Sequence, residues 1–356
     1  MQKKVVLVFF GQKGGGLQVL IASLVSLKNE DLEIVVLTDK RCATEIKEFK
    51  TSNVSLHFYD FPHSFRGLLR LDKVILNTLK VFFVFRKLNA NIVVQIMPSP
   101  FDLVVDYLTS KNQFVHLIRM IHDSSPHFGE KWPSQAAVRR RIKHSTSLIT
   151  FSNYVLNELR ESKKEILKIN LPKICYFSDS DSVGNDCLAV VGLDRPRILF
   201  IGRILRYKGL DYLLEVMEER YDWHFIIAGE GRITNPTSNA IVINRWLNNK
   251  EFDFLIDNAD IIVFPYIDAS QSGTIPLSRK KNKLIVVSEV GGIAEQVEGY
   301  QAVFRCKPAN KASLLKAISE ATTEFHINQK LDLANSPDNE ADLFEVTFRN
   351  HIVKLA

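Results

Sequence analysis

Two stretches of this chain place groups that bind phosphate where parallel sheets bind ligands. In Phe200-Ile201-Gly202-Arg203-Ile204-Leu205-Arg206-Tyr207-Lys208-Gly209, cations follow the end of an apolar run. A strand ending at Ile201 leaves them on the loop at its carboxyl end, the edge at which open α/β sheets take their ligands. Arg203 can grip phosphate oxygens bidentately, and Lys208 adds a point charge. The second stretch, Ala269-Ser270-Gln271-Ser272-Gly273-Thr274-Ile275-Pro276, follows the apolar run Ile261–Pro265. Pro276 suits the first turn of a helix. Ser272, Gly273 and Thr274 would then present hydroxyls and unpaired N–H groups at a helix start, a cradle for an anion.

A third cradle candidate, Gly14-Gly15-Gly16, follows the apolar run Val5–Phe10. Glycine there permits positive φ and a close approach of ligand to backbone. It is not a Walker loop, because no Gly-Lys-Ser/Thr follows. Nor is it a dinucleotide fingerprint, because Val19 stands where the third glycine belongs. Cradles and cations converging on one edge suit a diphosphate better than a monophosphate. His122-Asp123-Ser124-Ser125-Pro126-His127 ends another apolar run, Phe114–Ile121, and neither histidine has metal-ligand spacing to other His or Cys residues. Asp179-Ser180-Asp181 has the form of an Asp-x-Asp metal site, but it lies in a polar stretch with no strand directly before it, so no metal is expected.

Strands and helices must alternate to hold these loops. Val5–Phe10, Glu33–Thr38, Asn53–Tyr59, Ile92–Met97, Phe114–Ile121 and Leu148–Phe151 read as buried strands. After the polar stretch from Ser178 the pattern restarts with Ile198–Ile201, Trp223–Ala228, Ala240–Ile243, Ile261–Pro265 and Leu284–Ser288, separated by helical segments such as Leu210–Glu219, Glu251–Asn258 and Lys311–Glu324. Repeated strand–helix units imply parallel sheets covered by helices. The expected fold is α/β, with two Rossmann-like domains facing a central cleft. The first would span 1–187 and the second 188–340; residues 341–356 would form a helix returning to the first.

The chain has 356 residues, 46 Lys+Arg and 40 Asp+Glu. The excess is uneven: residues 1–190 carry +8 and residues 191–356 carry −2. An asymmetry of this kind points to an anionic partner for the first half. Arg66, Arg70, Lys73, Asn77 and Lys80 recur at helical spacing among leucines, valines and phenylalanines, and Arg139, Arg140, Arg141 and Lys143 add charge nearby. This predicts a basic amphipathic helix suited to peripheral contact with an anionic membrane. No apolar stretch reaches the length of a membrane span, and no signal peptide is expected. The four cysteines, Cys42, Cys175, Cys187 and Cys306, lie far apart and read as reduced thiols of a cytoplasmic protein. Nucleic-acid binding is disfavoured, because no recognised motif accompanies the modest charge.

Taken together, these segments resemble glycosyltransferase family 4, of the GT-B fold. The second half carries most of the likeness: Ile201-Gly202-Arg203 with Lys208-Gly209, Ala228-Gly229-Glu230-Gly231, Ala259-Asp260 leading to Pro265, and Gly291-Gly292-Ile293-Ala294-Glu295. Gly14-Gly15-Gly16 looks like the family's glycine loop. His122-Asp123, Pro126-His127 and Gly129-Glu130 resemble a subgroup that builds capsular and exported polysaccharides. The resemblance implies retaining, metal-independent transfer from a nucleotide-diphosphate sugar, with no cofactor, to a glycan or lipid-linked acceptor, and the basic first half with its amphipathic helix fits such an acceptor at the inner face of the plasma membrane. It assigns Arg203, Lys208 and His122 to catalysis and Gly15, Gly16, Gly202, Ser272, Gly273, Thr274 and Ser278 to the donor. Where the family carries Glu-x7-Glu, this chain has Ser270 and Ser278. That departure leaves two other readings open: a sugar-nucleotide epimerase of the same fold, and a weakened, non-catalytic scaffold.

Overall fold

Successive residues of Lys3–Phe9 turn to opposite faces of a sheet, and both sets are apolar. Val5, Leu7 and Phe9 enter one core, and Val6 and Val8 enter another on the other face. Burial on both faces is the reason these runs lack polar alternation. The computed structural model describes residues 2–11, 14–61, 71–111, 115–130, 132–173, 181–234, 236–327 and 343–356. Its first sheet contains β1 (Lys3–Phe9), β2 (Leu32–Asp39), β3 (Val54–Tyr59), β4 (Ile92–Gln95), β5 (His116–Ile121), β6 (Ser147–Thr150) and β7 (Glu165–Lys168), in the order β3-β2-β1-β4-β5-β6-β7. Its second contains β8 (Arg197–Ile201), β9 (His224–Ala228), β10 (Ala240–Ile243), β11 (Ile261–Phe264), β12 (Leu284–Ser288) and β13 (Val303–Cys306), in the order β10-β9-β8-β11-β12-β13. All of these strand pairings are parallel.

This is the α/β arrangement of two Rossmann-like units expected from the alternation of strands and helices. In each sheet the strand order reverses once, between β1 and β4 and between β8 and β11. Loops leaving the two strands at such a reversal diverge and open a crevice at the carboxyl edge. The glycine loop leaves β1, and the Arg203–Lys208 loop leaves β8, so both lie at reversals.

The edge strands β7 and β13 are not anticipated by the sequence pattern. Each has four residues and is mostly only half-buried, so neither shows the apolar run of an interior strand. At the junction, Val183, Cys187 and Val190 pack into the core of the second sheet, and Gly184 donates its N–H to Glu251 at 3.1 Å. The second unit therefore begins before residue 188, a boundary that the polar composition of the junction conceals. At the far end, Phe344, Phe348 and Ile352 of the helix Leu343–Leu355 are buried in the core of the first sheet, against the helix Gly15–Leu27.

Two readings of surface charge change in three dimensions. Arg141 and Arg119 are buried. Arg119 pairs with Asp106 and also donates to Gln95 at 2.7 Å, and Arg141 pairs with Asp102 at 2.7 Å. Arg141 also donates to the carbonyls of Met97 and Met120, each at 3.2 Å, tying the loop that leaves β4 to the end of β5. It is an internal brace, not surface charge. In the helix Leu71–Leu88, Asn77 is buried and donates to the Asp60 carbonyl at 3.0 Å, while Lys73 pairs with Asp60 at 3.1 Å. The polar stripe thus turns partly toward the protein. Arg66 and Arg70 lie outside the described residues.

Candidate functional site

The β8 loop is built around glycines whose conformations other residues would resist. Gly202 has φ +117°, and a Cβ there would sit 3.1 Å from Lys208 Nζ. Gly209 has φ +67°, and a Cβ would fall 1.9 Å from the Pro265 carbonyl oxygen. Bare α-carbons therefore let the β8 loop lie directly against the segment after β11. The Ile267 N–H donates to the Tyr207 carbonyl at 2.8 Å, and Lys208 Nζ donates to the Tyr266 hydroxyl at 3.0 Å. Arg203 is exposed, and its charge reaches the Tyr207 hydroxyl, where it opposes the rise in pKa that burial imposes. Lys208 thus sits beside the β11 segment, whereas the residues flanking Arg203 pair with the end of β9 and the loop after it: the Gly202 and Ile204 N–H groups donate to the Ala228 and Glu230 carbonyls, each at 2.9 Å.

The β11 segment meets expectation only in part. Gly273 is exposed with open space around its α-carbon, and it precedes the helix Thr274–Lys280. The first N–H groups of a helix have no internal partners, so those at Thr274 and just beyond remain for a ligand. Ser272 is less available. Its N–H donates to Gln296 at 2.7 Å, and its carbonyl accepts from the same side chain at 3.1 Å. Ser278 is a correction: it is fully buried, and its hydroxyl donates to the Thr274 carbonyl at 2.8 Å. A helical serine satisfies itself on the preceding turn in this way, so this hydroxyl does not face the cleft.

Across the cleft, Gly14 has φ +114° and lies against Trp246, whose ring would stand 3.2 Å from an added Cβ. Gly15 has open space beside it, as a phosphate-facing position requires. Gly16 does not. A Cβ there would meet Met97 at 2.7 Å and Phe9 at 2.8 Å, so glycine at 16 serves the packing of helix on sheet.

The loop after β5 reaches from the first unit to the second. His122 Nε2 lies 3.1 Å from the Ile96 carbonyl, which fixes the proton on that nitrogen. Nδ1 then accepts from the Gln271 amide at 2.8 Å. Burial pushes the imidazole down to about 4, so His122 is neutral. Both nitrogens are engaged by protein, one by the Ile96 carbonyl and the other by Gln271 of the second unit. His127 is held by Asp123 at 2.9 Å and by Asp268 of the second unit at 3.1 Å, and it stacks on Tyr207 with ring centroids 4.4 Å apart. Asp123 also bonds to the Ser270 side chain. Burial opposes the charge on Asp123, but His127 and these bonds more than offset it and hold the carboxyl low. The Asn153 N–H donates to Glu295 at 2.6 Å.

Sequence reasoning overlooked Asp268, Gln271, Tyr207 and Trp246. Asp268 and Gln271 flank residues that had been singled out, but their partners lie 141 and 149 positions away, beyond any local pattern. Among the described residues, Asp186, Cys187 and Glu251 have donors close enough for a metal, yet Arg245 already pairs with Asp186 and Glu251, at 2.7 Å each. The residues Asp179 and Ser180 of the Asp-x-Asp candidate, and Cys175, lie outside the described residues.

Residues 195–324 match the family described as Glycosyl transferases group 1. A curated but uncharacterized glycosyltransferase of Methanocaldococcus jannaschii is 28% identical over 145 residues, which is 37% of this chain and 37% of that protein. The chain thus spans little more than a third of that relative. Among solved structures, HepE of Anabaena in complex with UDP-glucose superposes with a TM-score of 0.72 at 14% identity, covering 99% of this chain and 98% of that one. Sucrose-phosphate synthase of Thermosynechococcus elongatus gives 0.68 at 12% identity, with 99% and 94% covered. At these identities the likeness establishes the fold, which is GT-B.

Proposed function

We propose that this chain, which carries the glycosyl transferases group 1 pattern over residues 195–324, transfers a glycosyl group from a nucleotide-diphosphate sugar to a glycan or lipid-linked acceptor. The observation that carries this reading is the convergence of the β8 and β11 loops. Lys208 rests on Tyr266 at 3.0 Å, Arg203 is exposed beside Tyr207, and Gly273 opens onto free space before a helix. The loop that carries the cations lies against the segment after β11 at the reversal of the second sheet, which supports a diphosphate site shared with the amides at Gly273–Thr274 and with Gly15 of the first unit. The HepE structures hold UDP-glucose, or UDP and glucose, which makes a uridine diphosphate sugar the first donor to try.

In the reaction, the bond from the anomeric carbon to the diphosphate breaks and negative charge gathers on the leaving oxygens. Arg203, Lys208 and the amides at Gly273–Thr274 would stabilise that charge from fixed positions. The acceptor hydroxyl would attack from the face the diphosphate leaves, giving retention, with its proton passing to a phosphate oxygen. Two protein cations supply the charge a metal would otherwise supply, which favours a metal-independent reaction. Closure of the cleft by the His122–Phe128 loop would exclude water and favour transfer over hydrolysis. The likeness of the segment His122–Glu130 to polysaccharide-building enzymes supports an acceptor in cell-surface glycan synthesis, reached from the cytoplasmic side.

Losing one preorganised donor at a developing charge costs roughly 3–4 kcal/mol, or a hundredfold to a thousandfold in rate. Arg203→Ala should therefore nearly abolish transfer while the melting temperature holds, and chelators should leave wild-type turnover unchanged. Near-normal turnover of Arg203→Ala would remove the assignment. An epimerase would need an acid–base pair in the cleft, whereas His122 is neutral and occupied on both nitrogens. Donor incubated without acceptor should accordingly yield no new sugar isomer. Calorimetry with nucleoside diphosphates separates both enzymes from a scaffold that binds none.

A further inference from the structure

The helix Leu71–Leu88 shows solvent a face that an ordinary cover helix would bury. Ile75, Leu76, Leu79 and Phe83 are 57, 53, 47 and 58% exposed. Their spacing sets them along one side of the helix, with the exposed Lys80, Arg86 and Lys87 beside them. The neighbouring helix Asp102–Ser110 extends the strip through Leu103 and Tyr107, 53 and 54% exposed, and Lys111 follows it. Where the two helices end, a groove of about 400 Å³ opens between Phe82, Phe85, Tyr107 and Leu108. Arg86 stands over the Phe82 ring at 5.7 Å, and Lys111 over the Tyr107 ring at 5.5 Å. The groove also touches Asn89 and Ala90, ahead of β4, and Val115, ahead of β5. It therefore lies at the amino edge of the first sheet, away from the cleft.

We propose that this face rests on an anionic lipid bilayer. The apolar side chains would enter the boundary between headgroups and acyl chains, with Lys80, Arg86, Lys87 and Lys111 level with the phosphates. Among the described residues, none of these four cations pairs with a carboxylate, and Asp72 is the only acidic residue of the helix Leu71–Leu88. The excess of +8 over residues 1–190 agrees in sign. Charge also argues against a second copy of the chain as the occupant. A two-fold interface would set the same patch against itself and bring four cations of each copy together against the one acidic residue of the helix, Asp72. No described helix is long and apolar enough to cross a membrane, so the contact is peripheral.

The test reads binding alone, so it stands or falls apart from the glycosyl-transfer reading. The full chain is centrifuged with vesicles of phosphatidylglycerol and phosphatidylcholine in equal parts, and with vesicles of phosphatidylcholine alone, at low and high salt. The wild type should bind the anionic vesicles at low salt, release as salt rises, and leave the neutral vesicles unbound. Leu79→Ser with Phe83→Ser should weaken binding by roughly tenfold or more, the loss expected for exposed anchors of this size. Lys80→Glu with Lys87→Glu should weaken it by about fivefold or more per charge and flatten the salt dependence. All four side chains are exposed, and an unchanged melting temperature would confirm that each variant folds. The proposal is overturned if anionic vesicles are not bound, if both double variants bind as the wild type does, or if the protein is a dimer that Phe83→Ser splits.

Discussion

His122 is uncharged near neutrality because burial strips water from its imidazole, and its two nitrogens are divided between Ile96 and Gln271. It acts as a strut that aims Gln271. The Gln271 Oε1 atom is buried without a hydrogen-bond partner among the described residues, a state that costs free energy unless a partner arrives. NMR titration of the imidazole should show no protonation until the pH falls to about 4. A titration near 6.5 would mean that the ring is solvated and free to meet substrate. Arg203 and Lys208 differ from His122 in kind, since neither spends its charge on a carboxylate among the described residues.

The helices Asp102–Ser110 and Gln135–His144 hold the floor beneath the His122 loop. Their contact is ionic: Asp106 receives Arg140 and Asp102 receives Arg141, and Asp106 also receives Arg119 of β5. Replacing a buried ion pair with apolar groups of like shape can be neutral, but removing one partner strands the other in a poorly solvating interior. Asp106→Ala leaves the fully buried Arg119 without its carboxylate and should cost about 3–5 kcal/mol in denaturant unfolding. A loss below about 1 kcal/mol would show that water or a neighbouring group replaces the carboxylate. Because Arg141 binds the Met97 and Met120 carbonyls, this brace also sets the height of the loops that carry Pro98 and His122.

Across the whole molecule, the two units meet through His127, held by Asp123 of its own loop and Asp268 of the other unit and stacked on Tyr207. Burial works against protonation of His127, but the two carboxylates outweigh it and raise the pKa above the ordinary value. The protonated form is the one that grips both carboxylates. Its contribution is therefore complete below the unfolded-state value near 6.5 and is lost as pH rises through the higher folded-state value. The difference in melting temperature between wild type and His127→Gln should be largest in mildly acidic solution and shrink as the solution becomes alkaline. A difference that grows with pH would reverse the assignment. If closure of the cleft depends on this contact, the wild type should also become more open by X-ray scattering over the same range.

The amino-acid sequence by itself determined the architecture, because strands buried on both faces must be written as unbroken apolar runs, and a run followed by glycine and cations marks the ligand edge of a sheet. Gly202 and Arg203 stand out in the sequence for that reason, directly after the end of β8, whereas Lys208 and Gly273 stand seven and nine residues beyond their strand ends and are placed by the loops between. Only the tertiary structure decided what each side chain faces. Ser278 and Gly16 have the right chemistry for a donor site, yet helix packing claims both. Arg141 is read from sequence as surface charge and proves to be a buried brace, while Asn77, read as part of the polar stripe, proves to be buried against the Asp60 carbonyl. Local periodicity reports that a helix has two faces, and which face is buried depends on elements far along the chain. Gln271 and Asp268, too, acquire their roles from histidines 149 and 141 residues away, a separation that only folding closes.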